Sequence, residues 1–202
     1  MELQSQIQLF LRLAGTKFLF IRTGESVSNL AGTLAGWTDT KLSDYGKKQS
    51  NLLYSHLYKT LPLFNSFNSS DLLRAVNTLQ LSTLFTVPFI KDERLREIYY
   101  GEHEGEHFDS MPEEFRSQIN SMNYCAPKGE SWMMVRNRAL KFLQSKPPGA
   151  HFCVSHGGLI CSLTHPLGLT DVLTNASVVA FVMVNGELKL EFTWSCPEIL
   201  NS

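Results

Sequence analysis

Two short stretches carry side chains whose types and setting could do chemistry. In FLFIRTGESVSN, Phe18 to Asn29, four apolar residues run through Arg22 into a glycine turn at Gly24, with Thr23 between them. In HFCVSHGG, His151 to Gly158, an apolar run ends in His156 followed by a glycine pair. A guanidinium fork and an imidazole can do chemistry on a bound ligand, and glycines let backbone come close to it. Thr23 is an odd residue for the centre of such a turn, because an unassisted hydroxyl stays protonated at neutral pH and is a poor nucleophile. A third stretch, GEHEGEH from Gly101 to His107, sets two histidines four apart with carboxylates between them. That spacing suits a metal only on a helix. The flanking glycines break helical geometry, so no metal is expected.

To meet, Arg22, Thr23 and His156 need two neighbouring parallel strands. TKFLFIR, Thr16 to Arg22, is short, apolar and ended by a glycine turn, as is HFCVSHGG; both read as buried parallel strands. Side by side, their carboxyl ends would form the crevice in which open α/β sheets bind ligands. Helices are expected near Ser43 to Lys59, Asp71 to Phe85, Glu113 to Asn120 and Glu130 to Ser145, the last stopped by KPPG. SVVAFVMVNGELKLEFTW, with Asn185-Gly186 between two alternating apolar runs, predicts a hairpin. No repeat, linker or low-complexity segment divides the chain, so residues 16–202 are expected to form one domain. Residues 1–15 form an extension that places Leu3, Ile7, Phe10, Leu11 and Ala14 on one helical face. A packing helix is the expected reading; an organelle-targeting segment is the alternative, disfavoured by Glu2 and the scarcity of arginine.

The 202 residues, 43% hydrophobic and 18% charged, suit a globular chain with a sizeable core. The formal net charge of -1 and the scattered basic residues give no reason to expect nucleic acid or an anionic membrane as partner. No apolar run reaches the roughly 18 residues of a membrane span. Cys125, Cys153, Cys161 and Cys196 lack CxxC spacing, and two lie in apolar runs, so neither a metal site nor a disulfide framework is expected. The compartment expected is the cytoplasm, with mitochondria as the alternative.

IRTGESVSN, taken with AGWTDTKLSDYG (Ala35 to Gly46), SSDLLRA (Ser69 to Ala75), LREIYYGEHEG (Leu95 to Gly105), PEEF, PKGES and VSHGG in that order, resembles the histidine phosphatase superfamily. The resemblance runs from Lys17 to Trp194. It implies an α/β three-layer sandwich of the phosphoglycerate mutase type, a mostly parallel central sheet flanked by helices, with no cofactor and no metal. It also implies Arg22 and Arg74 as phosphate clamps, Glu97 as proton donor to the leaving oxygen, and His156 as a second phosphate ligand. Asn29, Gly36 and Gly157 match positions that line the substrate pocket, and Ala35 stands where many relatives carry a hydroxyl. Trp37, Trp132 and Trp194 are read as core or rim aromatics.

In that family the residue before the glycine is a histidine that attacks phosphorus; here it is Thr23. An imidazole is nucleophilic near pH 7 and its phosphoramidate is labile, whereas threonine needs a base and its ester would be a stable dead end. The expectation is a pseudophosphatase that binds a phosphorylated small molecule or phosphoprotein. One alternative is a phosphomonoesterase, as a trapping variant or with water attacking directly; another is a structural or interaction subunit with an empty pocket. The segment EFRSQINSMNYCAPKGES resembles broad-specificity monoesterases more than mutases. A homodimer or a protein partner stays open.

Overall fold

The computed structural model describes residues 2–118, 121 and 124–199. Its strands are β1 (Thr16–Arg22), β2 (Ser66–Ser69), β3 (Ile90–Lys91), β4 (Ala150–Ser155), β5 (Val178–Val184) and β6 (Glu187–Trp194). They form one sheet in the order β3-β2-β4-β1-β5-β6. The pairs β1 with β4, β4 with β2 and β2 with β3 are parallel; β5 and β6 run antiparallel to their neighbours. The helices are α1 (Leu3–Phe10), α2 (Val27–Leu30), α3 (Asp44–Leu57), α4 (Leu73–Ser82), α5 (Glu113–Gln118), α6 (Trp132–Gln144) and α7 (Gly157–Thr164).

Side chains alternate across a strand, so each central strand feeds two cores. Phe18 and Phe20 of β1, Cys153 of β4 and Phe181 of β5 pack with Val135, Ala139 and Phe142 of α6 and Leu159 and Leu163 of α7. Leu19, Ile21, Phe152, Val154 and Ala180 face the other way, onto Leu3 and Ile7 of α1, Leu53 and Leu57 of α3, and Leu79 of α4. The result is a helix-sheet-helix sandwich, as expected. Each fully buried phenylalanine contributes about 1.5–3 kcal/mol, which is why the middle of the sheet is the rigid part.

The local differences from expectation have physical causes. The second strand stops at Ser155 rather than running to Gly158, because Gly157 opens α7. The helix expected over Asp71 to Phe85 spans Leu73–Ser82, ended where Leu84 and Phe85 take φ of 47° and 58°. Of the helix expected over Glu113 to Asn120, Glu113–Gln118 is helical, and Ile119 and Asn120 lie outside the described residues. α6 begins behind the Ser131 side chain, which accepts from the Met134 N–H. The hairpin turns at Asn185-Gly186, with φ of 52° and 84°. No helix among the described residues is long and apolar enough to cross a membrane.

Strand β2 (SFNS) has no apolar signature, and its polar side chains are satisfied from β4 and from the segment between α6 and β4. Ser66 Oγ lies 2.8 Å from His151 Nδ1, His151 Nε2 lies 2.9 Å from the Pro147 carbonyl, and Asn68 Oδ1 accepts from Lys146 Nζ at 2.6 Å. His151 Nε2 can only donate to the Pro147 carbonyl, while Nδ1 shares a hydrogen bond with the Ser66 hydroxyl. Burial, then nearby Lys146, push its pKa below 6.5, against the Pro147 hydrogen bond. The turn after β1 is set by contact: a Cβ on Gly24 would stand 2.5 Å from the Gly46 carbonyl oxygen of α3 and 2.8 Å from Ser50 Oγ. Gly24 N–H also donates to Thr78 Oγ1 of α4 at 3.0 Å.

Because the folded pKa of His151 lies below its unfolded value, the unfolded chain takes the proton first, and stability declines as pH falls below 6.5. Urea unfolding between pH 7.5 and 5.5 should show this loss, at no more than about 1.4 kcal/mol per pH unit for each histidine involved, and His151→Gln should lessen it while leaving the part due to His156. Gly24→Ala should cost about 1–3 kcal/mol by the same measurement, since the groups it meets belong to a packed helix.

Candidate functional site

The register of β1 and β4 sets Arg22 opposite Ser155, so the residues that follow each strand, Thr23 and His156, leave the sheet side by side. They open into a cavity of about 250 Å³. Arg22, Thr23, Asn29, Gly36, Arg74, Glu97, His156 and Gly157 all line it, as does Ala35. Arg74 reaches it from the first turn of α4 and is only 3% exposed.

Both arginines are fixed before any ligand arrives. The Arg22 guanidinium donates to the Leu173 carbonyl; Arg74 donates to the carbonyls of Gly36, at 2.6 Å, and Thr38, at 3.0 Å. Burial lowers the pKa of each, and Glu97 is the largest opposing charge for both. His156 is 1% exposed, and neither ring nitrogen has a hydrogen-bond partner among the described residues. Burial first, then Arg74, Arg138 and Arg22, hold its pKa well below the usual imidazole range, so the ring is neutral at physiological pH. A buried imidazole without partners, beside two guanidiniums, is an unsatisfied site of the kind an anion with several acceptor oxygens completes.

Thr23 is buried, and its hydrogen bonds run through its backbone. Its N–H donates to Ser155 O at 2.9 Å, and its carbonyl accepts from the Ala176 N–H at 3.1 Å and Asn175 Nδ2 at 3.0 Å. Among the described residues no side chain hydrogen-bonds the Thr23 hydroxyl, so no base is in place to activate it.

Glu97 carries a structural duty. Its Oε2 accepts from Gly158 N–H at 3.1 Å, and its Oε1 from Leu159 N–H at 3.2 Å and Ile98 N–H at 2.9 Å. The carboxylate thereby satisfies amides of the first turn of α7, where the helix dipole also favours negative charge. Arg138, absent from the sequence reading, holds the segment that carries it: Nη1 donates to the carbonyls of Arg94 and Arg96, Nη2 to that of Glu97, and Nε to Glu130 Oε1 at 2.8 Å. Trp37 Nε1 donates to the same Glu97 carbonyl at 2.7 Å.

Gly36 turns with φ of 49°, and a Cβ there would collide with Glu104 Oε1, whose carboxylate accepts from the Trp37 and Thr38 amides. A Cβ on Gly157 would stand 3.2 Å from the Arg22 guanidinium carbon. The Asn29 Oδ1 is turned inward to the Ser26 N–H and hydroxyl in a capping box. Sequence reasoning did not place Leu34, Tyr100, Phe108, Cys161 or Val172 in this wall, or Trp132 beyond a generic core or rim position. Tyr100 stood within a motif already singled out, three residues past Glu97, and that was its one available signal; Val172 lies in an irregular segment that carries none. Burial pushes the Cys161 thiol up to about 12, and it stays protonated. Among the described residues no three His, Cys, Asp or Glu side chains converge on a common metal position, and all four cysteines are free.

Comparison with known proteins agrees with this architecture. The chain is 30% identical over 162 residues to a protein named putative phosphoserine phosphatase 2 from Hydrogenobacter thermophilus, covering 73% of this chain and 78% of that one. It is 36% identical over 94 residues to a 2,3-bisphosphoglycerate-dependent phosphoglycerate mutase 2 from Latilactobacillus sakei, a match that covers 45% of this chain and spans only 41% of that relative. The crystal structure of a phosphoglycerate mutase from Thermus thermophilus superposes with a TM-score of 0.76 at 26% identity, covering 89% of this chain and 99% of that one. The sequence profile of the histidine phosphatase superfamily (branch 1) matches residues 18–191, nearly the whole described sheet and every wall of the pocket, and the chain belongs to that family.

Proposed function

We propose that this chain is a pseudophosphatase, which binds the phosphoryl group of a phosphorylated small molecule or phosphoprotein and does not turn it over. The observation that carries this reading is the contrast inside one pocket. His156 is buried with both ring nitrogens unpartnered and Arg22 and Arg74 beside it, whereas the Thr23 hydroxyl has no hydrogen bond to a base, both among the described residues. Two guanidinium forks and a neutral imidazole spread hydrogen bonds over phosphoryl oxygens, and the threonine hydroxyl adds one donor. Attack on phosphorus needs a deprotonated or intrinsically nucleophilic atom, and threonine here is neither. A buried imidazole kept with no hydrogen-bond partner among the described residues is costly, which disfavours an empty structural pocket.

A phosphomonoesterase is the second reading. It is favoured by the relative named a phosphoserine phosphatase and by Glu97 in the pocket wall, where a proton donor to a leaving oxygen would stand. Against it, the Glu97 carboxylate is engaged by three backbone amides.

The purified protein should hydrolyse a chromogenic phosphomonoester about a thousandfold more slowly than its Thr23→His variant, on the order of 4 kcal/mol of barrier. Thr23→His should take up labelled phosphate in an acid-labile, alkali-stable form, and Arg74→Ala in that background should abolish the labelling. Ordinary turnover by the unaltered chain, removed by Glu97→Gln, would establish the phosphomonoesterase instead.

A further inference from the structure

Resting on the phosphate-binding reading of this pocket, we infer that its ligand is a phosphate monoester whose other half is small, uncharged and apolar, an aryl or short alkyl phosphate rather than a phosphorylated acid. Charge is the first reason. Arg22 and Arg74 are the only basic side chains besides His156 in the described wall, and Glu97 faces them both. A dianionic phosphate already exceeds the positive charge that remains. The charges of Asp39 and Glu104 act on Arg74 as well, so a second anionic group on the ligand would find no free cation in the described wall. The nearby Arg138 is bound to Glu130 and three backbone carbonyls.

Hydrogen bonding points the same way. The Ser26 hydroxyl donates to Asn29 Oδ1 at 2.9 Å and the Thr33 hydroxyl to the Ser28 carbonyl at 3.4 Å, so neither is free to donate to a carboxylate. Thr23, Asn29 and Tyr100 bring polar groups to the wall, and beside them Leu34, Ala35, Phe108, Val172 and the Trp132 ring offer an apolar surface. A carboxylate left against such a surface loses its hydration without replacement, while an aromatic or aliphatic group gains by leaving water. The cavity, about 250 Å³, lies near the lower limit of ligand sites and takes one ring or a short chain beside the phosphate.

Titration calorimetry of the intact protein with inorganic phosphate, phenyl phosphate and 3-phosphoglycerate tests the inference. Phenyl phosphate should bind at least about tenfold more tightly than inorganic phosphate, the return expected from burying much of one ring. 3-Phosphoglycerate should bind no more tightly than inorganic phosphate. Val172→Lys, at a half-exposed position that should not disturb folding, supplies the missing cation and should move the ratio of the two esters toward 3-phosphoglycerate by several fold. An aryl phosphate can arrive free or as a phosphotyrosine side chain. Blocked phosphotyrosine separates the two: tighter than phenyl phosphate supports a protein source, weaker supports a free small molecule. If inorganic phosphate binds and phenyl phosphate is no tighter, or 3-phosphoglycerate is the tightest of the three, the ligand class is overturned and the phosphate pocket stands. If none of the probes binds, inorganic phosphate included, the pocket reading itself falls.

Discussion

Two guanidinium groups and one imidazole are held together out of water at the carboxyl ends of β1 and β4, and the surrounding structure is built to tolerate that concentration of donors. Positive charge in such a place is unfavourable unless something nearby carries the opposite sign or accepts the hydrogen bonds. Here the carbonyls of Leu173, Gly36 and Thr38 take arginine donors, and Glu97, Asp39 and Glu104 supply negative charge around Arg74. The loop from Ala35 to Asp39 therefore has a double role. Its carbonyls orient Arg74, and Asp39 Oδ1 accepts from the Leu73 N–H at 2.6 Å, fixing the start of the helix that presents Arg74. His156 is not compensated in this way: its unpartnered nitrogens are the one polar debt that this neighbourhood leaves for a ligand.

Glu97 links the site to the rest of the molecule. Its carboxylate is anchored at the N-terminus of α7, the helix that begins directly after His156, so the imidazole and the carboxylate cannot shift independently. Behind it, Arg138 and Trp37 hold the Glu97 carbonyl from α6 and from the Gly36 loop. Arg96 extends the same scaffold outward, paired with Asp71 and lying 4.8 Å over the Trp37 ring. A group this well held is suited to stabilising a fixed geometry, and less suited to exchanging a proton during a turnover cycle.

Membership in a phosphatase and mutase family and the chemistry of position 23 pull in different directions, because the fold delivers a phosphoryl-binding pocket whichever side chain sits at the centre of the turn. The turn itself is set by Gly24 against α3 and by the strand register, neither of which depends on Thr23. Binding and catalysis can therefore separate at one residue. What remains is a small cavity whose wall combines two guanidinium groups, a neutral imidazole and a carboxylate with apolar side chains such as Leu34, Phe108 and Val172.

Sequence alone determined the features written in short periods or in ordered motifs. The apolar run Phe18–Ile21 before a glycine turn, its counterpart before His156, and Asn185-Gly186 between alternating strands depend on nearest-neighbour sterics and burial, which local sequence encodes. The ordered motifs carried Arg74 and Glu97 into the candidate site although each alone has the composition of a surface charge. Tertiary structure decided the rest. Strand β2 is polar, and it is a strand because His151 and Lys146, far away in the chain, satisfy it. Arg138 has no local mark of importance, and its role comes from carbonyls more than forty residues away. Val172 reaches the pocket from an irregular segment and Phe108 from a single turn of 3-10 helix, both too short to carry a periodicity. Periodic patterns record what a residue's neighbours in the chain demand, whereas the pairing of a buried polar group is set by whatever the fold brings against it, and only the assembled structure contains that partner.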